Sequence, residues 1–168
     1  MQKFQAANKG FTYILVCVYI WSRQLFAKTI KTKSPVHVKA AFDAILTENH
    51  VHPLEWVTDK GGEFYGRAMK EYLRSKFIIH WSPENDVKCG VVERATRTLK
   101  SKIYKYFTAK GTEVWYDVLD KIVGNINGTV HRFLGVPPAS INYDNAEDFA
   151  YLYKNGKEPA NFKFALGM

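Results

Sequence analysis

Residues 11–30 have the sequence FTYILVCVYIWSRQLFAKTI, in which two apolar stretches are separated by Trp21-Ser22-Arg23. The first stretch, Phe11 to Ile20, is rich in β-branched and aromatic residues, and this composition favours a buried strand. The second, Leu25 to Ile30, has the length of a partner strand, so the short connection predicts an antiparallel hairpin. Both stretches fall short of the about 18 apolar residues that a membrane-spanning helix needs, and we expect no membrane contact.

The sequence after the hairpin alternates between helical and strand patterns. The predicted order is a helix over about residues 35–48, a strand over 54–58, a helix around 68–73, a strand over 77–81, a helix over about 91–107 and a last helix that begins near residue 112. A hairpin followed by this alternation predicts a mixed α/β sheet with helices on its faces. The 168 residues suffice for one domain of ordinary size.

Positive charge is concentrated in one segment. The chain carries 24 Lys and Arg against 16 Asp and Glu, a net charge of +8, which favours a polyanion as partner. Residues 88–110 hold seven of these bases and one acid, Glu93. In the predicted helix Glu93, Arg97 and Lys100 are spaced i, i+4 and i+7 and therefore share one face. Two cysteines and the absence of a secretory signal fit a reduced, intracellular setting.

Two acids stand at positions where open α/β sheets bind ligands. Asp59 follows the predicted strand 54–58 and precedes Gly61 and Gly62, which permit a tight turn. Glu93 lies near the amino end of the helix after the next strand, so we expect the two carboxylates to meet. Such carboxylates suit Mg²⁺ or Mn²⁺ and, beside a basic helix, indicate two-metal phosphate chemistry, which usually needs three acids. The alternative is that Asp59 caps a turn and Glu93 complements its helix dipole.

Several ordered segments are similar to the integrase catalytic core. They are TDKGGEF at 58–64, VVERATRTLK at 91–100 with thirty-three residues between Asp59 and Glu93, NKGFTYIL at 8–15, WSR at 21–23 and HRFLGVPPA at 131–139. Nearly the whole chain resembles the integrases of self-synthesising DNA transposons of the Polinton or Maverick type and, more distantly, retroviral and retrotransposon integrases. The resemblance implies a ribonuclease-H-like fold and a family activity that processes DNA ends and joins them to target DNA with two metal ions held by Asp, Asp and Glu.

Carried over to this sequence, the resemblance makes Asp59 the second of these catalytic, metal-binding acids and Glu93 the third. The first acid has no match, because in the family it lies in a central strand just before the segment that Met1 to Phe4 resembles. The resemblance therefore implies a chain truncated before that strand. Loss of the strand would leave backbone groups of its two neighbours unpaired, which is costly when they are buried.

The resemblance also implies DNA contacts from the basic helix. Arg97 and Lys100 share the face of Glu93, and Arg94 and Lys88 are further candidates, Lys88 from the segment 82–90 that resembles the family's mobile active-site loop. For Arg94 and Lys88 an ordinary solvated side chain is the alternative. Phosphate contacts of this kind have little sequence preference and weaken with salt.

The resulting prediction is an integrase-like core at residues 1–150, followed by a tail at 151–168 that leads toward a missing carboxy-terminal module. We expect a DNA-binding domain related to DNA integration by two-metal phosphoryl transfer, inactive as an isolated chain, and nuclear if functional. Integrases of this kind usually act as multimers, which implies a homo-oligomer. The alternatives are a non-catalytic DNA-binding remnant and a gene fragment that does not fold.

Overall fold

A computed structural model describes residues 1–83, 90–142, 144–153 and 163–167. Its strands are β1 (Tyr13–Tyr19), β2 (Leu25–Ile30), β3 (Glu55–Val57), β4 (Ile79–Trp81) and β5 (Lys163–Gly167). Its α-helices are α1 (Pro35–Glu48), α2 (Gly62–Tyr65), α3 (Arg67–Ser75), α4 (Gly90–Lys110) and α5 (Leu119–Asn127). Short 3₁₀ helices span Gln2–Phe4, Ala6–Asn8, Pro138–Ser140 and Ala146–Tyr153. Within these residues, no helix combines the length and the apolar composition of a membrane span.

The predicted hairpin is confirmed. Strands β1 and β2 pair antiparallel, with Tyr13 opposite Ile30 and Val18 opposite Leu25. The connection closes where the amide of Tyr19 donates to the carbonyl of Gln24 at 2.8 Å. Alternating side chains of β1 enter two separate cores, because successive residues of a strand point to opposite faces of the sheet.

Helices cover both faces of the sheet, as predicted. On one face α1, α2 and α3 pack around Trp56, whose ring stacks on Phe42 with centroids 4.1 Å apart. On the other face α4 and α5 bury Leu99, Ile103 and Trp115 against β1 and β2. Helix α1 begins as its sequence indicates, since the amide of His37 donates to the Ser34 hydroxyl at 3.4 Å.

The centre of the sheet differs from the sequence-based expectation of a missing strand. The strand order is β2-β1-β5-β3-β4, with β5 antiparallel to β1 and parallel to β3. Strand β5 comes from residues 163–167, near the carboxyl end of the chain, and it pairs with both neighbours that were expected to lack a partner. The backbone of β5 provides hydrogen-bond partners for two facing strand edges that would otherwise be unpaired.

The last helix begins later than predicted because a buried asparagine holds the chain before it in another conformation. Asn8 is fully buried, and its side-chain oxygen accepts from the amides of Trp115 at 2.7 Å and Tyr116 at 3.3 Å. Its side-chain amide donates to the carbonyls of Phe4 at 2.7 Å and Glu113 at 2.9 Å. Helix α5 therefore begins at Leu119 and not near residue 112.

Replacing Asn8 by alanine should lower the free energy of unfolding by about 2–4 kcal/mol, because it leaves buried backbone groups without partners. Asn125→Ala, at an exposed position of α5, is the matched control and should change stability by less than about 0.5 kcal/mol. Urea unfolding followed by circular dichroism measures both variants. Equal midpoints for the two would contradict the role given to Asn8.

Candidate nucleic-acid and metal site

Strand β3 delivers Asp59 to one edge of the sheet. Trp56 and Val57 are buried and paired with β4 and β5, and the amide of Thr58 still donates to the carbonyl of Trp81 at 3.2 Å. The chain then turns outward, and Asp59 is exposed. One oxygen of its carboxylate, Oδ1, accepts from the amide of Gly61 at 3.1 Å. Asp59 therefore does cap a turn, as the alternative interpretation held, and this bond fixes its carboxylate at the strand end.

A network of hydrogen bonds from neighbouring side chains fixes the backbone of Asp59. Its carbonyl accepts from the hydroxyl of Thr58 at 2.7 Å and from that of Ser82 at 3.0 Å. The Thr58 hydroxyl also lies 2.9 Å from Nε2 of His80. The hydroxyl of Thr58 has one proton and donates it to the carbonyl of Asp59. In the hydrogen bond between Thr58 and His80, Nε2 of His80 must therefore be the donor. The ring of His80 thus orients Thr58, and Thr58 orients the strand end that carries Asp59.

His80 is uncharged at neutral pH. Its ring lies between Trp56, at a centroid distance of 5.0 Å, and Tyr65, at 4.6 Å. Burial, with a smaller contribution from the positive charge of Lys70, lowers the pKa of His80 below its ordinary value of 6.5. The sequence analysis did not find this residue, although its place in the strand paired with the Asp59 strand was a usable signal.

A second acid that the sequence analysis missed stands beside Asp59. A Cβ atom added at Gly61 would lie 2.8 Å from Oε2 of Glu63 and 3.0 Å from Oδ1 of Asp59, so the two carboxylates are within about 6 Å of each other. Nζ of Lys33 lies 3.9 Å from Oε1 of Glu63. A side chain at position 61 would require the flexible Glu63 carboxylate to move away.

Glu93 lies in the first turn of α4 and is exposed. This placement complements the positive end of the helix, as the alternative interpretation held. Among the residues that the structure describes, no three His, Cys, Asp or Glu side chains form a group that could hold a metal ion. The described acids offer the carboxylate oxygens that a hard cation prefers. They do not form a group large enough to hold one. The roles of Asp59 and Glu93 as catalytic residues and metal ligands stay a prediction.

Helix α4 presents exposed basic residues to solvent. Arg97 and Lys100 are exposed, as is Arg94, and within the described parts of the chain no acidic side chain forms an ion pair with any of the three. Lys100 lines a cleft of about 180 Å³ together with Lys33, which also reaches Glu63. Lys88, the fourth predicted contact, lies outside the described residues.

The chain is similar in sequence to a transposon-derived protein and in fold to retroviral integrases. No family model matches the sequence. A transposon-derived protein of Caenorhabditis elegans is 40% identical over 141 residues, which cover 84% of this chain and 49% of that protein. The chain thus spans about half the length of the curated relative that it matches.

Similar solved structures are retroviral integrases. The simian T-cell lymphotropic virus intasome, in complex with a regulatory subunit of PP2A, matches 81% of this chain and 50% of its own, with TM-score 0.72 and 22% identity. The BIV integrase catalytic core matches 82% and 89%, with TM-score 0.66 and 24% identity. The HTLV-2 integrase catalytic core in complex with magnesium matches 76% and 82%, with TM-score 0.66 and 22% identity. The fold is that of an integrase catalytic core, ribonuclease-H-like, as expected.

The lowered pKa of His80 predicts a loss of stability in mild acid. In the unfolded chain His80 has its ordinary pKa of 6.5, whereas in the folded chain its pKa is lower. In mild acid the proton therefore binds the unfolded chain more readily, and the free energy of unfolding falls as pH drops from about 7.5 to about 5.5. His80→Gln should show a smaller fall, and the exposed control His52→Gln should behave like the original chain. Thermal unfolding across this pH range measures the effect. Equal pH dependence in His80→Gln and the original chain would contradict it.

Proposed function

We propose that the chain is an integrase-type DNA-binding domain, related to DNA integration by two-metal phosphoryl transfer, which by itself binds DNA without joining strands. The observation that carries the proposal is the exposed basic face of α4, formed by Arg97 and Lys100, on an integrase-core fold. The curated transposon-derived relative favours a mobile-element origin. A Polinton or Maverick-type element is the specific source that we propose.

The DNA is expected to lie along α4. Arg97 and Lys100 are three residues apart on a helix, so their charges are presented to one passing phosphate backbone. Arg94, which is exposed nearer the amino end of the helix on the neighbouring flank of α4, is proposed as a further phosphate contact. Side chains of this kind bind phosphates with little sequence preference and release counterions, which makes the affinity depend on salt. Lys88 is proposed as a further contact from the neighbouring loop.

Divalent metal is the cofactor that we propose for the complete site. Asp59 and Glu93 would supply carboxylate oxygens to Mg²⁺ or Mn²⁺, the kind of ion present in the HTLV-2 core. Such ions activate the attacking oxygen and stabilise the leaving oxygen of a phosphodiester. The strand that occupies the centre of this sheet, KFALG at residues 163–167, contains no Asp or Glu. This strand therefore supplies no third acid, and the isolated chain should bind metal weakly.

The proposal also includes the oligomeric state of the chain and its location in the cell. The related cores include a trimeric form and a dimeric form, and one relative is an intasome. We propose that this chain also acts as a homo-oligomer on DNA. For a functional chain, we propose the nucleus as the place of action.

Replacing Arg97 and Lys100 together with alanine should weaken binding to any duplex several-fold at about 0.1 M salt. The slope of log affinity against log salt concentration should become shallower by about 2, one unit for each lost phosphate contact. The matched control is Arg74→Ala with Lys76→Ala, which removes two charges at the exposed end of α3. Fluorescence anisotropy with a labelled duplex gives both quantities. An unchanged slope in the α4 variant would contradict the proposed DNA face.

A further inference from the structure

Helix α4 carries a second exposed stripe on its opposite flank. Arg94, Thr98 and Lys102 are four residues apart and so lie above one another on the helix surface. The segment 129–133, which follows α5, lies across from this stripe, and the two together line an open groove of about 760 Å³. We name it the α4 flank groove. Lys100 lines the cleft beside β1 and not this groove, so neighbouring lysines of one helix serve two different surfaces.

The wall opposite α4 is fixed by short-range hydrogen bonds. The amide of His131 donates to the carbonyl of Val136 at 3.0 Å, and the amides of Leu134 and Gly135 donate to the carbonyl of His131 at 3.0 and 2.9 Å. Gly135 has φ of 74°, which glycine adopts without strain. Leu134 is buried and anchors the turn. This turn therefore presents residues 130, 132 and 133 outward in a defined arrangement.

The groove is positive along its whole length. Arg94 and Lys102 line one wall and Arg132 the other, while Arg23 lines the adjoining deeper part of about 360 Å³. The described residues that line the two parts include no Asp or Glu. Burial, and then the charges of Arg23 and Arg94, lower the pKa of His131 at the base of the groove. A concave surface with four permanent positive charges is complementary to a chain of phosphates.

An aromatic ring at the rim adds a second kind of contact. Phe133 is 43% exposed, and Val130 beside it is 61% exposed. The guanidinium carbon of Arg23 lies 5.1 Å from the centroid of the Phe133 ring. A basic groove that also offers an aromatic ring is the arrangement that binds unpaired nucleotides, since the phosphates meet the charges and a base stacks on the ring.

We propose that the α4 flank groove binds an unpaired nucleic-acid strand, with phosphates at Arg94, Lys102 and Arg132 and a base against Phe133. Bases in a duplex have their faces covered by neighbouring pairs, so only an unpaired strand can use the ring. The proposal rests on the proposed function in that the ligand is nucleic acid, but it assigns a different ligand to a different flank of α4. The chain would then hold a duplex on the Arg97 side and a single strand on the other.

The test compares a labelled oligothymidylate of about 12 nucleotides with a labelled duplex of equal length, each titrated with the full chain. Lys102→Ala with Arg132→Ala should weaken single-strand binding about tenfold and duplex binding less than about threefold. Arg74→Ala with Lys76→Ala is again the matched control for two lost charges. Phe133→Leu should weaken single-strand binding at least about fivefold, whereas Phe133→Tyr, which keeps the ring, should retain it.

Two results would overturn the proposal. One is a groove variant that loses single-strand affinity no more than the Arg74 and Lys76 control. The other is equal loss of single-strand and duplex binding, which would show that the groove does not select unpaired nucleotides. The Arg97 and Lys100 variant keeps this test separate from that of the proposed function, because it should lower duplex binding and leave the Phe133 effect intact. Thermal unfolding of each variant verifies the fold.

Discussion

The backbone pairing of β5 on both of its edges is the constraint on which this structure depends. Strands β1 and β2 form one hydrogen-bonded pair and β3 and β4 another, and in the sheet only β5 connects the two pairs. Ala165 pairs with Val18 on one side and with Val57 on the other. Because Asp59 follows β3 by two residues, the position of the acidic edge relative to β1, and to the helix α4 that covers it, is set through this central strand.

The features of the fold that were predicted correctly are those determined by the local sequence pattern. The hairpin, the start of α1 at Pro35 and the turn after β3 depend on neighbouring residues, and each was confirmed. The late start of α5 depends on Asn8, about a hundred residues earlier, and no periodicity near residue 112 contains that information. The place of β5 in the sheet is similarly non-local, since its partners lie more than 100 residues away.

The candidate site also combines local and non-local features. The sequence predicts Asp59 from its strand and its glycines and the shared face of Arg97 and Lys100 from helical spacing, and their roles stay predictions. His80 and Glu63 were missed because their relation to Asp59 arises from strand pairing and from the closeness of two side chains around Gly61. The flank groove was also beyond the sequence, since its two walls come from α4 and from the turn after α5, which only the packed fold brings together.

We propose that this chain, whose fold is that of an integrase core, binds DNA while its own residues do not complete a strand-joining site. The most direct measurement mixes the purified chain with a labelled duplex end and a target plasmid, and follows binding and joining in one reaction with Mg²⁺ or Mn²⁺. The account predicts salt-sensitive binding and no joined product with either ion. Joined product that disappears when Asp59 is changed to asparagine would contradict it, because the third ligand would then already be present in this chain.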